Sequence, residues 1–109
     1  MSKGKNASRR AERAQAFQVL YGLSFSTDAT MRDVRRAFLF FPDNKELEPV
    51  EDEGLLPPPS GFAWELVQGV WTRAGELDQH LARFSRNWRV DRMGRVERTI
   101  LRLAMYELL

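Results

Sequence analysis

Val96-Glu97-Arg98-Thr99-Ile100-Leu101-Arg102-Leu103-Ala104-Met105-Tyr106-Glu107-Leu108-Leu109 closes the chain with a pattern that a helix organises and a strand does not. Wound at 100° per residue, Val96, Ile100, Leu101, Leu103, Ala104, Met105 and Leu108 spread over roughly 200° of the circumference. That arc is too wide for a helix lying on a surface, so the segment is expected to be central. The remaining sector holds Arg95, Arg102, Tyr106 and, at its margin, Arg98. Glu97 projects into the apolar arc from the first turn. A carboxylate there complements the positive helix end but is expensive to bury unpaired, so an ion pair or cap is expected.

Working outward, no stretch alternates long enough to make a strand, and the chain reads as all-α. A first helix is expected from Ser8, an acceptable N-cap, to about Phe25, with Ala16, Phe17, Val19, Leu20 and Leu23 on one broad arc. Residues 1–7 are expected to form a flexible basic tail. Thr30 with Asp33 resembles a capping box for a second helix that carries Val34, Phe38 and Phe41 on one face and stops at or before Pro42. Asp43, Glu46, Glu48, Glu51, Asp52 and Glu53, followed by Pro57-Pro58-Pro59, make residues 42–60 a long acidic, proline-rich loop. From Phe62 to Phe84 the apolar positions keep helical spacing, as one core helix or two consecutive ones. Trp64 and Trp71 project from its flank, to bury against a neighbouring helix or to receive a partner. His80 at the margin of the stripe reads as a packed or capping residue.

At 109 residues and 43% hydrophobic content the chain is one domain with a modest core. It has no cysteine and one histidine, so disulfides and thiolate metal sites are excluded, a structural zinc site is implausible, and no cofactor is expected. No run approaches the length of a membrane span and the basic N-terminus lacks a secretory apolar stretch, which makes a cytoplasmic protein the expectation. Paired carboxylates, a nucleophile with its base, and a glycine-rich phosphate loop are missing at useful spacing, so an enzyme is not expected.

Net charge is only +2, but it is segregated. Seven arginines fall at Arg83, Arg86, Arg89, Arg92, Arg95, Arg98 and Arg102, and a second group stands at Arg9, Arg10 and Arg13. Fourteen of the seventeen basic residues are arginine, whose planar fork fits phosphate oxygens and stacks on bases. Tyr21 lies on the stripe of Arg10, about 16 Å further along the first helix. It reads either as a base-stacking platform or as an amphipathic residue at the core edge.

Residues 91–108, from Asp91-Arg92-Met93-Gly94 through Ala104-Met105-Tyr106-Glu107-Leu108, resemble the signature helix of the NusB family of bacterial transcription antitermination factors. Arg9-Arg10-Ala11-Glu12-Arg13 through Val19-Leu20-Tyr21 resembles that family's arginine-rich first helix, and Trp88 and Leu66-Val67-Gln68-Gly69-Val70 also match its habits. The resemblance implies a NusB-like helical bundle that pairs with NusE, a small-subunit ribosomal protein, and recognises single-stranded boxA RNA. It implies that the pair assists RNA polymerase through terminators, notably in ribosomal RNA operons. By position it implies RNA contacts for Arg9, Arg10, Arg13 and Tyr21, with Arg95 also on the basic sector. It places Glu97 and Arg98 at or near the shared RNA and NusE surface, and Trp64 and Trp71 remain partner-facing candidates.

The family usually carries two further helices after the closing one, so the expectation here is a C-terminally shortened bundle with its last helix partly uncovered. Self-association would bury that helix. Two other readings stay open: the NusB-like RNA-binding domain of a ribosomal RNA methyltransferase, and a helical scaffold that binds protein only through Trp64, Trp71 and the acidic loop.

Overall fold

The computed structural model describes residues 2–41, 58–84 and 93–109, with side chains from Arg9 onward. The described residues form five helices and no strand: α1 (Ser2–Leu23), α2 (Met31–Leu39), α3 (Phe62–Thr72), α4 (Ala74–Phe84) and α5 (Arg95–Leu108). The expected all-α class holds. Most of the acidic loop, Trp88, Arg86, Arg89 and Arg92 lie outside the described residues.

α1 begins at Ser2, earlier than the Ser8 start expected, so residues 2–7 belong to the helix rather than to a tail. The reason is local: this stretch contains no proline, and its weakest helix former is Gly4, which costs about 1 kcal/mol against alanine but does not terminate a helix. The expected apolar arc of α1 is realised, with Ala16, Val19, Leu20 and Leu23 buried and Phe17 packed against them.

α2 starts as Thr30 and Asp33 predict. The Asp33 amide donates to Thr30 Oγ1 at 3.5 Å, and the Thr30 amide donates to Asp33 Oδ2 at 2.8 Å, satisfying two helix-end donors reciprocally. Val34 and Ala37 are buried, and Phe38 and Phe41 pack against the core.

The long apolar run resolves into two helices with a break at Arg73. Thr72 donates its hydroxyl to the Gln68 carbonyl at 2.8 Å, and Gly75 follows in the next turn; both weaken helix continuity. α3 opens at Gly61, whose φ of 99° is reached cheaply only by glycine. α3 is the central element, with Ala63, Trp64, Leu66, Val67, Gly69 and Val70 all buried between α1, α2 and α5. α5 crosses α3 closely at Gly69, where a β-carbon would run into the Tyr106 ring. It is tied to α4 by Arg102, whose Nε and Nη2 donate to the two carboxylate oxygens of Asp78 at 2.8 and 2.5 Å.

The central position expected for α5 is therefore corrected. It buries Thr99, Leu103 and Met105, while Val96, Ile100 and Leu108 remain 45%, 51% and 81% exposed. A wide apolar arc records what a helix is able to bury; among the described residues only α1, α3 and α4 are placed to cover it, and they cover one side.

Candidate nucleic-acid interface

α1 and α5 run antiparallel, pinned at both ends by side chains from the expected site. At one end Arg13 Nε donates to Glu107 Oε1 at 2.9 Å and to Oε2 at 3.1 Å. At the other, Arg95 Nε donates to the Ser24 carbonyl at 3.3 Å. Between these ties, Arg13, Phe17 and Tyr21 follow one another at four-residue spacing along one ridge of α1, which Phe25, in the turn after the helix, continues by its contact with Tyr21.

The ridge is aromatic through its middle. Tyr21 lies nearly parallel to Phe17, 5.8 Å between centroids and 11° between planes, and meets Phe25 edge-on at 5.1 Å. Arg95 covers the Phe25 ring at 4.6 Å. At the opposite end the Arg9 guanidinium sits 3.9 Å from the centroid of Phe62, and Arg13 lies 5.5 Å from the same ring. Guanidinium groups held over rings keep their planes fixed while leaving N–H edges for an anion. Beside the ridge, Arg13, Ala14, Phe17, Ile100, Leu103, Ala104 and Glu107 line a shallow apolar groove of about 320 Å³.

The expected residues thus fall into two groups joined by the ridge. Arg9 and Arg13 stand at the Phe62 end, and Tyr21 and Arg95 at the Phe25 end. Arg10 is exposed and makes no ion pair among the described residues. Arg98 is half-buried, with Nη2 donating to the Met93 carbonyl at 3.3 Å, and it faces a second cleft behind α5 rather than the ridge. Glu97 is exposed on the first turn of α5 with no partner among the described residues, so the expected cap or ion pair is not formed there.

Trp64 requires a correction as a partner-facing residue. It is 9% exposed and packs on Phe38, 5.3 Å between centroids, because α3 is enclosed on this side by α2. Trp71 keeps part of its surface open. His80 is half-buried on α4, 3.8 Å from Glu76, consistent with a packed helix-surface residue.

Three features of the site are not evident from the sequence pattern. Phe25 carried a weak signal, its four-residue spacing from Tyr21. Phe62 carried none, because its pairing with Arg9 spans the long connection between α2 and α3. Glu107 was legible only as a polar residue on α5, yet its carboxylate engages Arg13.

Among the described residues no group of histidine, aspartate or glutamate side chains is placed to hold a metal ion, and no helix is long and apolar enough to cross a membrane. The family model for the NusB family matches residues 10–109. Transcription antitermination protein NusB of Desulfovibrio desulfuricans is 57% identical over 108 residues, covering 99% of this chain and 65% of the relative. The protein of the same name from Nitratidesulfovibrio vulgaris strain DP4 is 52% identical over 102 residues, with 94% and 63% covered. That of Myxococcus xanthus is 37% identical over 100 residues, with 92% and 66% covered. The chain therefore spans just under two thirds of the length of these relatives, and no solved structure matches it. With the match running from the arginine-bearing part of α1 to the end of α5, the chain belongs to the NusB family.

Proposed function

We propose that the chain acts in transcription antitermination by holding single-stranded boxA-type RNA along the α1–α5 face, together with NusE. The reading places it in the cytoplasm, assisting RNA polymerase through terminators, notably in ribosomal RNA operons. The observation that carries it is the ridge itself: Phe17, Tyr21 and Phe25 form a continuous aromatic ladder with Arg13 at one end and Arg95 at the other. Single-stranded RNA offers what such a ridge accepts, phosphates for guanidinium edges and unstacked bases for rings. No bond is made or broken. The face works by positioning, and the RNA is the ligand rather than a substrate.

Glu97, exposed at the start of α5, is the partner-facing residue of this reading, and Arg10 adds a phosphate contact beside Arg9 and Arg13. The test is a fluorescence-anisotropy titration of labelled boxA RNA, with and without NusE and against a scrambled RNA of equal length. Tighter binding to boxA, strengthened by NusE, is expected. Equal affinity for the scrambled RNA in both conditions, or capture of NusE with no RNA retained, overturns it; the second result would instead indicate a protein-only scaffold.

A further inference from the structure

Behind the ridge, on the opposite side of the α1–α5 seam, lies a cleft of about 200 Å³. Val70, the half-buried Trp71 and Ala74 give it an apolar wall contributed by α3 and the start of α4. Its other wall is polar and comes from α1 and α5. Ser24 commits its hydroxyl proton to the Tyr21 carbonyl at 2.5 Å, and Thr99 commits its own to the Arg95 carbonyl at 2.7 Å. Both oxygens are left as acceptors. Arg102 is clamped by Asp78 through Nε and Nη2, which fixes the guanidinium plane and largely offsets its charge, and its Nη1 makes no hydrogen bond among the described residues. Arg98 lines the same wall, its Nη2 given to the Met93 carbonyl at 3.3 Å, so guanidinium donors from Arg98 and Arg102 and two hydroxyl acceptors share this small space with an indole.

That combination does not suit a bare phosphate. Of its two arginines, Arg102 is neutralised by the Asp78 carboxylate and Arg98 already donates to the Met93 carbonyl, and half of the lining residues are apolar. Nor is there room for a larger organic ligand, whose pockets begin at about 300 Å³. A single flat heterocycle with both acceptor and donor atoms on its edge matches the size, the stacking surface and the hydrogen-bonding complement. The cleft also adjoins the end of the ridge: Ser24 is among its lining residues, and the Ser24 carbonyl receives Arg95, the arginine over Phe25.

We infer that this cleft takes one unstacked nucleobase of the bound RNA, with Trp71 as its stacking surface and Arg102, Ser24 and Thr99 contacting its edge. The inference rests on the RNA-binding reading above and adds to it a subsite that the ridge does not contain. A strand running along Tyr21 and Phe25 turns one base inward past Arg95, while its neighbours remain on the aromatic ladder.

The experiment is an abasic scan of boxA RNA, one position at a time, against the full chain with NusE present and against Trp71→Leu and Ala74→Leu. Trp71→Leu removes the stacking surface. Ala74→Leu fills the cleft without emptying any part of the core, and circular dichroism confirms that each variant keeps its helices. With the unmodified chain, one position is expected to lose about tenfold in affinity when its base is removed. Both variants should bind intact boxA RNA about tenfold more weakly, with no further loss at that position. If the abasic penalty persists undiminished in both variants, the cleft is not the base's site, while RNA binding along the ridge stands. If boxA RNA is not retained by the unmodified chain at all, the RNA reading and the subsite fail together.

Discussion

On the proposed RNA-binding reading, Arg13 has two competing partners. Its Nε is bound by Glu107, and a phosphate entering the Phe62 end of the ridge must take that place against a nearby carboxylate. Glu107→Gln is therefore expected to tighten boxA RNA binding several-fold, with little change in stability because half-exposed surface pairs contribute only about 0–1 kcal/mol. Weaker RNA binding by this variant in the anisotropy titration would contradict the placement of phosphate at Arg13. Arg10→Ala and Arg13→Ala should each lower the salt slope of binding by about one unit, read as log K against log salt concentration. Slopes unchanged from the parent chain would remove those residues from the site. A different kind of residue constraint operates at Gly69, where an added methyl group overlaps the outer end of the Tyr106 ring, so that the ring or α5 must shift. Gly69→Ala is expected to cost about 1–3 kcal/mol in urea unfolding.

Among the elements, α2 is the one whose start is most sharply specified. The Thr30 amide bond to its carboxylate, with the Thr30 hydroxyl second, holds the Asp33 carboxyl below its ordinary value. A lowered folded-state value means that the ionised cap adds stability above the unfolded aspartate range of about pH 4, and that this contribution is lost as pH falls through the lowered folded value. The Thr30 amide resonance should follow that acid-side transition, and Asp33→Asn should abolish it; a midpoint at or above that of a free aspartate would contradict the cap. Thr30→Ala is expected to destabilise the chain by about 1 kcal/mol. α3 and α4 show a break that their shared apolar stripe conceals, because periodicity passes through Arg73 undisturbed while the Thr72 hydroxyl and Gly75 interrupt the backbone. α5 shows the converse. Its stripe is continuous and broad, yet Val96, Ile100 and Leu108 stay in solvent.

For the molecule as a whole, that exposed flank of α5 sets the expected behaviour in solution. Val96 and Ile100 stand one helical turn apart on the same side as the groove beside Phe17, so they extend one apolar surface. The chain is expected to self-associate through this surface, with sedimentation velocity at tens of micromolar giving a mass above 12.7 kDa. Ile100→Glu should return it to a monomer. A compact monomer for the parent chain at that concentration would rule the association out. Because the same surface borders the aromatic ridge, RNA should compete with self-association, and adding boxA RNA should shift the sedimentation boundary toward the one-to-one complex.

Helix existence, the α2 cap and the core faces of α1 and α3 were legible in the residues, since each depends on neighbours within a turn or two. Spacing of three and four decides which side chains share a face, and Thr30 needs only Asp33 to close its cap. Pairing across the fold was not legible. That Glu107 holds Arg13, that Phe62 receives Arg9, that Trp64 is enclosed by α2 while Trp71 borders a cleft, and that α3 rather than α5 lies at the centre all depend on which helix faces meet. Local periodicity states how much apolar surface a helix offers. How much of it is covered is decided only when the other helices have taken their places, because burial belongs to the packed assembly and not to any one segment.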